Sequence, residues 1–230
     1  MNDYREIYKK LKDKFSENFN SSIDLYNDIL EEVEIKNKSF YCFGEILAKK
    51  SSKTHEEIAY ILNEIFSDLT VSTYLVLSSI NNPAKILLRR VLELGIAVIY
   101  FWDLPHKYWG WKNINHYATD LQFKNNIDHI NSDSYKEYLK NEHGIKESII
   151  DKENIDIIYR DLSNTIHGKY ETFESNIASS FSFNRDELNK NLLLIIKCQN
   201  ILLKSYSKRF VNEYKELKNT KIPGLERYSL

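Results

Sequence analysis

Chain breakers are scarce here: six glycines and three prolines punctuate 230 residues. Tight turns and positive-φ positions draw on those residues. Their scarcity argues against a loop-rich β fold and against a glycine-rich phosphate-binding α/β fold. Helices joined by polar connectors remain, and the apolar spacing agrees. Tyr4, Ile7, Tyr8, Leu11 and Phe15 recur at helical period and predict a first amphipathic helix over 3–19. Ser22-Ile23-Asp24 offers a start for a second helix to about residue 35, and 39–49 reads as a third.

Thr54 with Glu57 three residues on is a capping-box pattern, predicting a long helix through about Ser79. Asn81-Asn82-Pro83 interrupts it, and proline suits the first turn of the next helix, Ala84 to Phe101, which is apolar nearly all round. An aromatic-rich helix follows over 107–130. Ser132 and Gly144 bracket one over 133–142, and 151–167 forms another, with Gly168 placed for a left-handed cap. Asn184 with Glu187 opens a last long helix after a polar loop. The expectation is an all-α bundle of seven or eight helices in a single domain over 1–230. Its core spans 55–205, and 1–50 is either an N-terminal helical appendage or part of the bundle.

Hydrophobic residues make up 42% of the chain and charged ones 28%, enough apolar surface to fold. The formal net charge of -1 leaves no global positive field, so any contact with nucleic acid must be local. Cys42 and Cys198 stand alone, as buried cysteines of a reducing compartment do. The apolar run Val91 to Trp102 carries Glu93 and falls short of the roughly 20 residues that a membrane span needs. No signal-like stretch begins the chain. A soluble cytoplasmic protein is expected, with no membrane partner.

Arg160-Asp161-Leu162-Ser163-Asn164-Thr165-Ile166-His167 is the segment best equipped for chemistry. Arg160 and His167 are seven residues apart, about 20° short of sharing one helix face and roughly 10 Å apart along the axis. Asn164 lies on the same stripe, flanked by Ser163, and Asp161 sits about 100° round the helix. An arginine clamps a phosphate with planar donors, and histidine as a residue type exchanges protons near neutral pH. A cation, an amide, a hydroxyl and an imidazole on one stripe suit a phosphodiester. Arg89, Arg90 and Glu93 are charges in a helix expected to be buried, so they must pair. Arg90 and Glu93 are candidates to steady the Arg160/His167 face from behind, or else to form an ordinary internal ion pair.

Other patterns are weaker. His106-Lys107-Tyr108-Trp109-Gly110-Trp111-Lys112 interleaves aromatics with cations, which more often means core or interface than base stacking. Lys204, Lys208, Lys215, Lys218 and Lys221 are expected to solvate a helix face. His55-Glu56-Glu57-Ile58-Ala59 lacks the second histidine of a zinc-protease helix, and Gly168-Lys169-Tyr170 lacks a P-loop. His129 and His143 are too isolated to define a metal site. Asp151, Glu153 and Asp156 read as a solvated first turn. No metal and no cofactor are expected.

The stretch Ile157 to Gly168, with Arg160, a polar Asp161 beside it and His167 after six intervening residues, resembles the motif of the HEPN superfamily. The helix Leu87-Leu88-Arg89-Arg90-Val91-Leu92-Glu93 is similar to one found in HEPN-like proteins. The resemblance extends loosely over 55–200. It implies a homodimer that cleaves RNA (tRNA or mRNA) without metal, using Arg160 and His167 of both protomers. Asp161, Ser163 and Asn164 would orient the substrate. It further implies a role in bacterial phage defence or a toxin system, with an antitoxin or defence-system protein as partner. The rival readings are a non-catalytic helical scaffold that binds a nucleotide or a protein, and an antitoxin or regulatory subunit.

Overall fold

A computed structural model of the chain describes residues 5–49, 52–113, 122–167, 181–219, 222 and 227. Among them are eleven helices and no strand. In chain order these are α1 (Glu6–Ile23), α2 (Asn27–Lys49), α3 (Lys53–Ala59), α4 (Ile61–Leu77), α5 (Asn81–Asp103) and α6 (Pro105–Asn113). Then come α7 (Phe123–Ile130), α8 (Asp133–His143), α9 (Lys152–Ile166), α10 (Arg185–Arg209) and α11 (Val211–Asn219). The all-α class expected from the scarcity of breakers is what the structure has. The number of helices exceeds the seven or eight expected. None among the described residues is long and apolar enough to cross a membrane.

α5 is the axis of the bundle. Pro83 lies in its first turn, where a missing N–H costs nothing, and Leu94 through Phe101 are all buried. α4, α7, α9 and α10 pack around it. Its approach to α10 is close: a Cβ on Gly95 would come within 2.4 Å of Leu202. There the buried Tyr206 hydroxyl donates to the Gly95 carbonyl at 2.9 Å. α9 meets α5 through Ile155, Ile158 and Leu162, a stripe with 3–4 spacing. Its opposite side faces solvent.

Several boundaries move for identifiable reasons. The helices expected over 22–35 and 39–49 are the single helix α2, because Lys36 and Asn37 between them are buried and bonded. The Lys36 ammonium reaches Glu32 and Asn200, and Gln199 donates to Asn37 at 2.8 Å. Val33, Phe40, Phe43 and Leu47 place α2 in the same core as α5 and α10. The long helix expected from Thr54 breaks at Tyr60 into α3 and α4. Ser52, not Thr54, caps α3 by accepting from the His55 N–H, while Glu57 is drawn to Tyr108 and Lys112 on α6. The helix expected over 107–130 is α6 and α7, with 114–121 outside the described residues.

Other signals hold. Ser132 caps α8 and Gly144 ends it at φ +68°, and Asn184 accepts from the Asp186 and Glu187 N–H groups at the start of α10. Gly168 lies outside the described residues.

Candidate functional site

α9 begins at Asp151, whose carboxylate accepts from the Asn154 N–H at 3.2 Å, and ends with His167 as its C-cap residue. The His167 N–H closes the last turn on the Ser163 carbonyl at 3.0 Å, leaving its imidazole exposed. Arg160 is exposed one and a half to two turns earlier. Six of the seven arginines have a partner. Arg89, Arg90, Arg185, Arg209 and Arg227 make side-chain hydrogen bonds, and Arg5 is also engaged. Arg160 has none among the described residues. His167 likewise has no side-chain partner among them.

The other residues of the motif are less uniform. Asn164 is half-buried on the Arg160/His167 stripe with no side-chain hydrogen bond among the described residues. The Ser163 hydroxyl donates to the Tyr159 carbonyl at 2.7 Å, so its proton is committed to the helix and only its lone pairs stay available. Asp161 is exposed and makes no side-chain hydrogen bond or ion pair among the described residues. Ile157 precedes Arg160 by three residues and is 43% exposed, which puts an apolar group on the same side of the helix.

Behind this face the charges pair differently from the expectation. Arg90 turns away to α4, where it grips both oxygens of Asp68 at 2.7 and 2.6 Å and reaches Glu64 at 3.1 Å. Arg90 therefore does not back α9. Arg89 takes its place: its Nε donates to Glu93 at 2.9 Å and its Nη2 to the Tyr159 hydroxyl at 2.9 Å. That hydroxyl donates to the same Glu93 oxygen at 2.8 Å, and the Tyr159 ring stacks on Phe123 at 3.8 Å. Burial, then the bond to Glu93, raises the Tyr159 pKa, so the phenol keeps its proton. Glu93 thus ties α5 to the residue next to Arg160. The rule that residues three or four apart on a helix touch allowed either arginine. The tie to Tyr159 had no sequence signal, since 66 residues separate it from Glu93.

A second cluster was missed altogether. The Asp103 carboxylate, at the end of α5, is held by Arg209 through two hydrogen bonds, one of them Nε to Oδ2 at 3.0 Å, and by the Tyr135 hydroxyl. The His143 Nε2 lies 3.3 Å from the Arg209 Nη2 and 3.2 Å from the Tyr138 hydroxyl. One sequence cue was available: Arg209 continues the buried register Ile195, Leu202, Tyr206, and a charge on such a stripe requires a partner. The aromatic segment on α6 is mostly packing. Tyr108 is buried, Trp111 stacks on Phe101, and the Trp109 Nε1 donates to Thr54 at 3.3 Å. Among the described residues no three His, Cys, Asp or Glu are grouped to hold a metal ion. Cys198 is buried, which pushes its thiol up to about 12.

No family model, curated protein or solved structure matches this chain.

Proposed function

We propose that the exposed side of α9 is the catalytic surface of a HEPN-like, metal-independent endoribonuclease acting as a homodimer in phage defence or a toxin system. The observation that carries the reading is the state of Arg160. It is the arginine with no partner among the described residues, on one helix with an equally unengaged His167. A guanidinium that neither caps a helix nor closes an ion pair adds little to stability and is free to take a phosphate. In the proposed homodimer an α9-to-α9 contact would bring two such pairs together.

In the resulting cleft, each Arg160 neutralises the scissile phosphate and its developing charge. One His167 accepts the proton of the ribose 2′-hydroxyl as that oxygen bonds to phosphorus. The partner subunit's His167 donates a proton to the 5′-oxygen as the P–O5′ bond breaks. The products are a 2′,3′-cyclic phosphate and a 5′-hydroxyl, and no net proton is gained or lost. Asn164 orients a non-bridging oxygen. Arg89, Glu93 and Tyr159 hold the α9 backbone steady while it does so.

The test is incubation of the protein with total RNA in EDTA, with mapping of the end groups. The parent should cleave and leave cyclic phosphates. Arg160→Ala and His167→Ala should each lower the rate by about 100-fold or more, the usual scale of a lost general acid–base group. Variants that cleave like the parent, or a parent that leaves RNA intact, overturn the reading.

A further inference from the structure

α10 carries a row of lysines on the side turned toward the start of α9. Lys197, Lys204 and Lys208 line a groove of about 600 Å³ whose far wall is the segment Glu147–Asp151 and the first turn of α9. The row is about 16 Å long, with steps of roughly 10 and 6 Å. Lys197 and Lys204 are exposed and have no ion pair among the described residues. Lys208 is anchored, with its ammonium 2.9 Å from the Ser148 carbonyl and 3.8 Å from Glu147. The acidic members of the wall are weak competitors. Glu147 is 83% exposed, and the Asp151 carboxylate is taken up in capping α9. The lysines expected to solvate a helix face thus divide. Lys204 and Lys208 face a cavity, and a residue outside that group, Lys197, joins them.

We infer that this groove binds the backbone of a single nucleic-acid strand, at a place separate from the Arg160/His167 face. A lone small anion meets one ammonium of a 16 Å row, roughly, whereas a strand bears a charge at every nucleotide and meets all three. Between the lysines, Ile149, Ile150 and Ile201 supply apolar floor for sugars and bases, and the Asn154 amide a base-edge partner. Among the described residues no aromatic ring lines the groove, so affinity rests mainly on the phosphate contacts, which carry no sequence information. Asn154 precedes Arg160 by about 9 Å along α9 and about 120° round it. A strand held in the groove therefore has its next nucleotides at the flank of that helix. The choice of RNA as the strand rests on the ribonuclease reading; the binding itself does not.

The experiment is fluorescence anisotropy of a labelled mixed-sequence 20-nucleotide RNA against the full chain, over a range of salt. The Arg160→Ala/His167→Ala background prevents cleavage. Each phosphate contact on a single strand contributes about 0.7 to the slope of log affinity against log salt. The triple variant Lys197→Gln/Lys204→Gln/Lys208→Gln should lower that slope by about 2 and weaken binding about tenfold or more at low salt. Lys197→Gln/Lys204→Gln, which leaves the Lys208 anchor in place, should show about two-thirds of that slope change, and its unaltered circular dichroism would show that folding is kept. Competition by millimolar inorganic phosphate that matches competition by unlabelled RNA would overturn the strand assignment in favour of a small-anion site. Equal slopes for parent and variants, or no binding by the parent background, would overturn the inference. Cleavage lost in Arg160→Ala with groove binding retained leaves both proposals standing, and groove binding without any parental cleavage leaves only this one.

Discussion

Arg160 and His167 stand at the solvent side of α9 without partners among the described residues. Arg209 and His143 instead surround Asp103, whose side chain is 3% exposed against 6% for Arg209. The two regions draw on the same residue types. In the second, the low dielectric makes every unpaired polar group costly, so guanidinium, carboxylate, phenol and imidazole close on one another. In the first, water satisfies the groups, and their donors remain open to a ligand. Burial therefore turns one Arg/His set into a structural joint between α5, α8 and α10 and leaves the other available for chemistry.

The largest expected effect lies in the buried joint. Asp103→Ala leaves the Arg209 charge buried without its carboxylate and should cost about 3–5 kcal/mol in urea unfolding. Arg160→Ala, an exposed change, should stay within about 0.5 kcal/mol of the parent. Comparable losses for the two variants would erase the contrast between the regions.

An intermediate effect should appear where the two kinds of environment meet, at Tyr159. Tyr159→Phe keeps the stack on Phe123 and the Arg89–Glu93 pair but removes the hydroxyl between them. A loss of about 1 kcal/mol is expected. On the proposed ribonuclease reading, RNA cleavage should fall with it, through kcat more than KM, because Tyr159 acts by bracing α9 against α5. A cleavage rate identical to the parent's would show that α9 needs no brace.

The smallest effect concerns pH. Burial, and next the Arg209 charge, lowers the His143 pKa; burial, opposed by Asp103 and helped by Lys107, lowers that of His129. The unfolded chain recovers the ordinary histidine value of about 6.5. Between the lowered folded values and that figure the unfolded state binds more protons, so stability rises with pH across the window and is lost as pH falls through it. The urea midpoint should drop on going from about pH 7.5 to about pH 5.5 by this linkage. His143→Gln should flatten that drop. A midpoint that is just as steep in the variant would place the proton uptake outside the Asp103 joint.

Helix punctuation was legible where a cap acts within its own turn. Ser132, Gly144 and Asn184 end or begin helices in the structure as their residue types require. Thr54 and Glu57 misled because partners on α6 outbid the local cap: Trp109 takes the Thr54 hydroxyl, and Tyr108 and Lys112 take Glu57. The polar run in α2 misled in the opposite sense, since Lys36 and Asn37 are satisfied by α10. Of the candidate site, the placement of Arg160, Asn164 and His167 along one helix followed from spacing alone. The choice of Arg89 over Arg90 behind it did not.

By itself, the sequence determined the all-α class and the helix that bears the Arg160/His167 pair, because breaker scarcity, apolar period and capping act over a few residues. Only the tertiary structure decided which charges are buried. It set Arg209 on Asp103, turned Arg90 to Asp68, tied Tyr159 to Glu93 and aligned Lys197, Lys204 and Lys208 along one groove. Those outcomes depend on which distant parts of the chain meet, and for Arg209 and Asp103 on the desolvation that such a meeting brings.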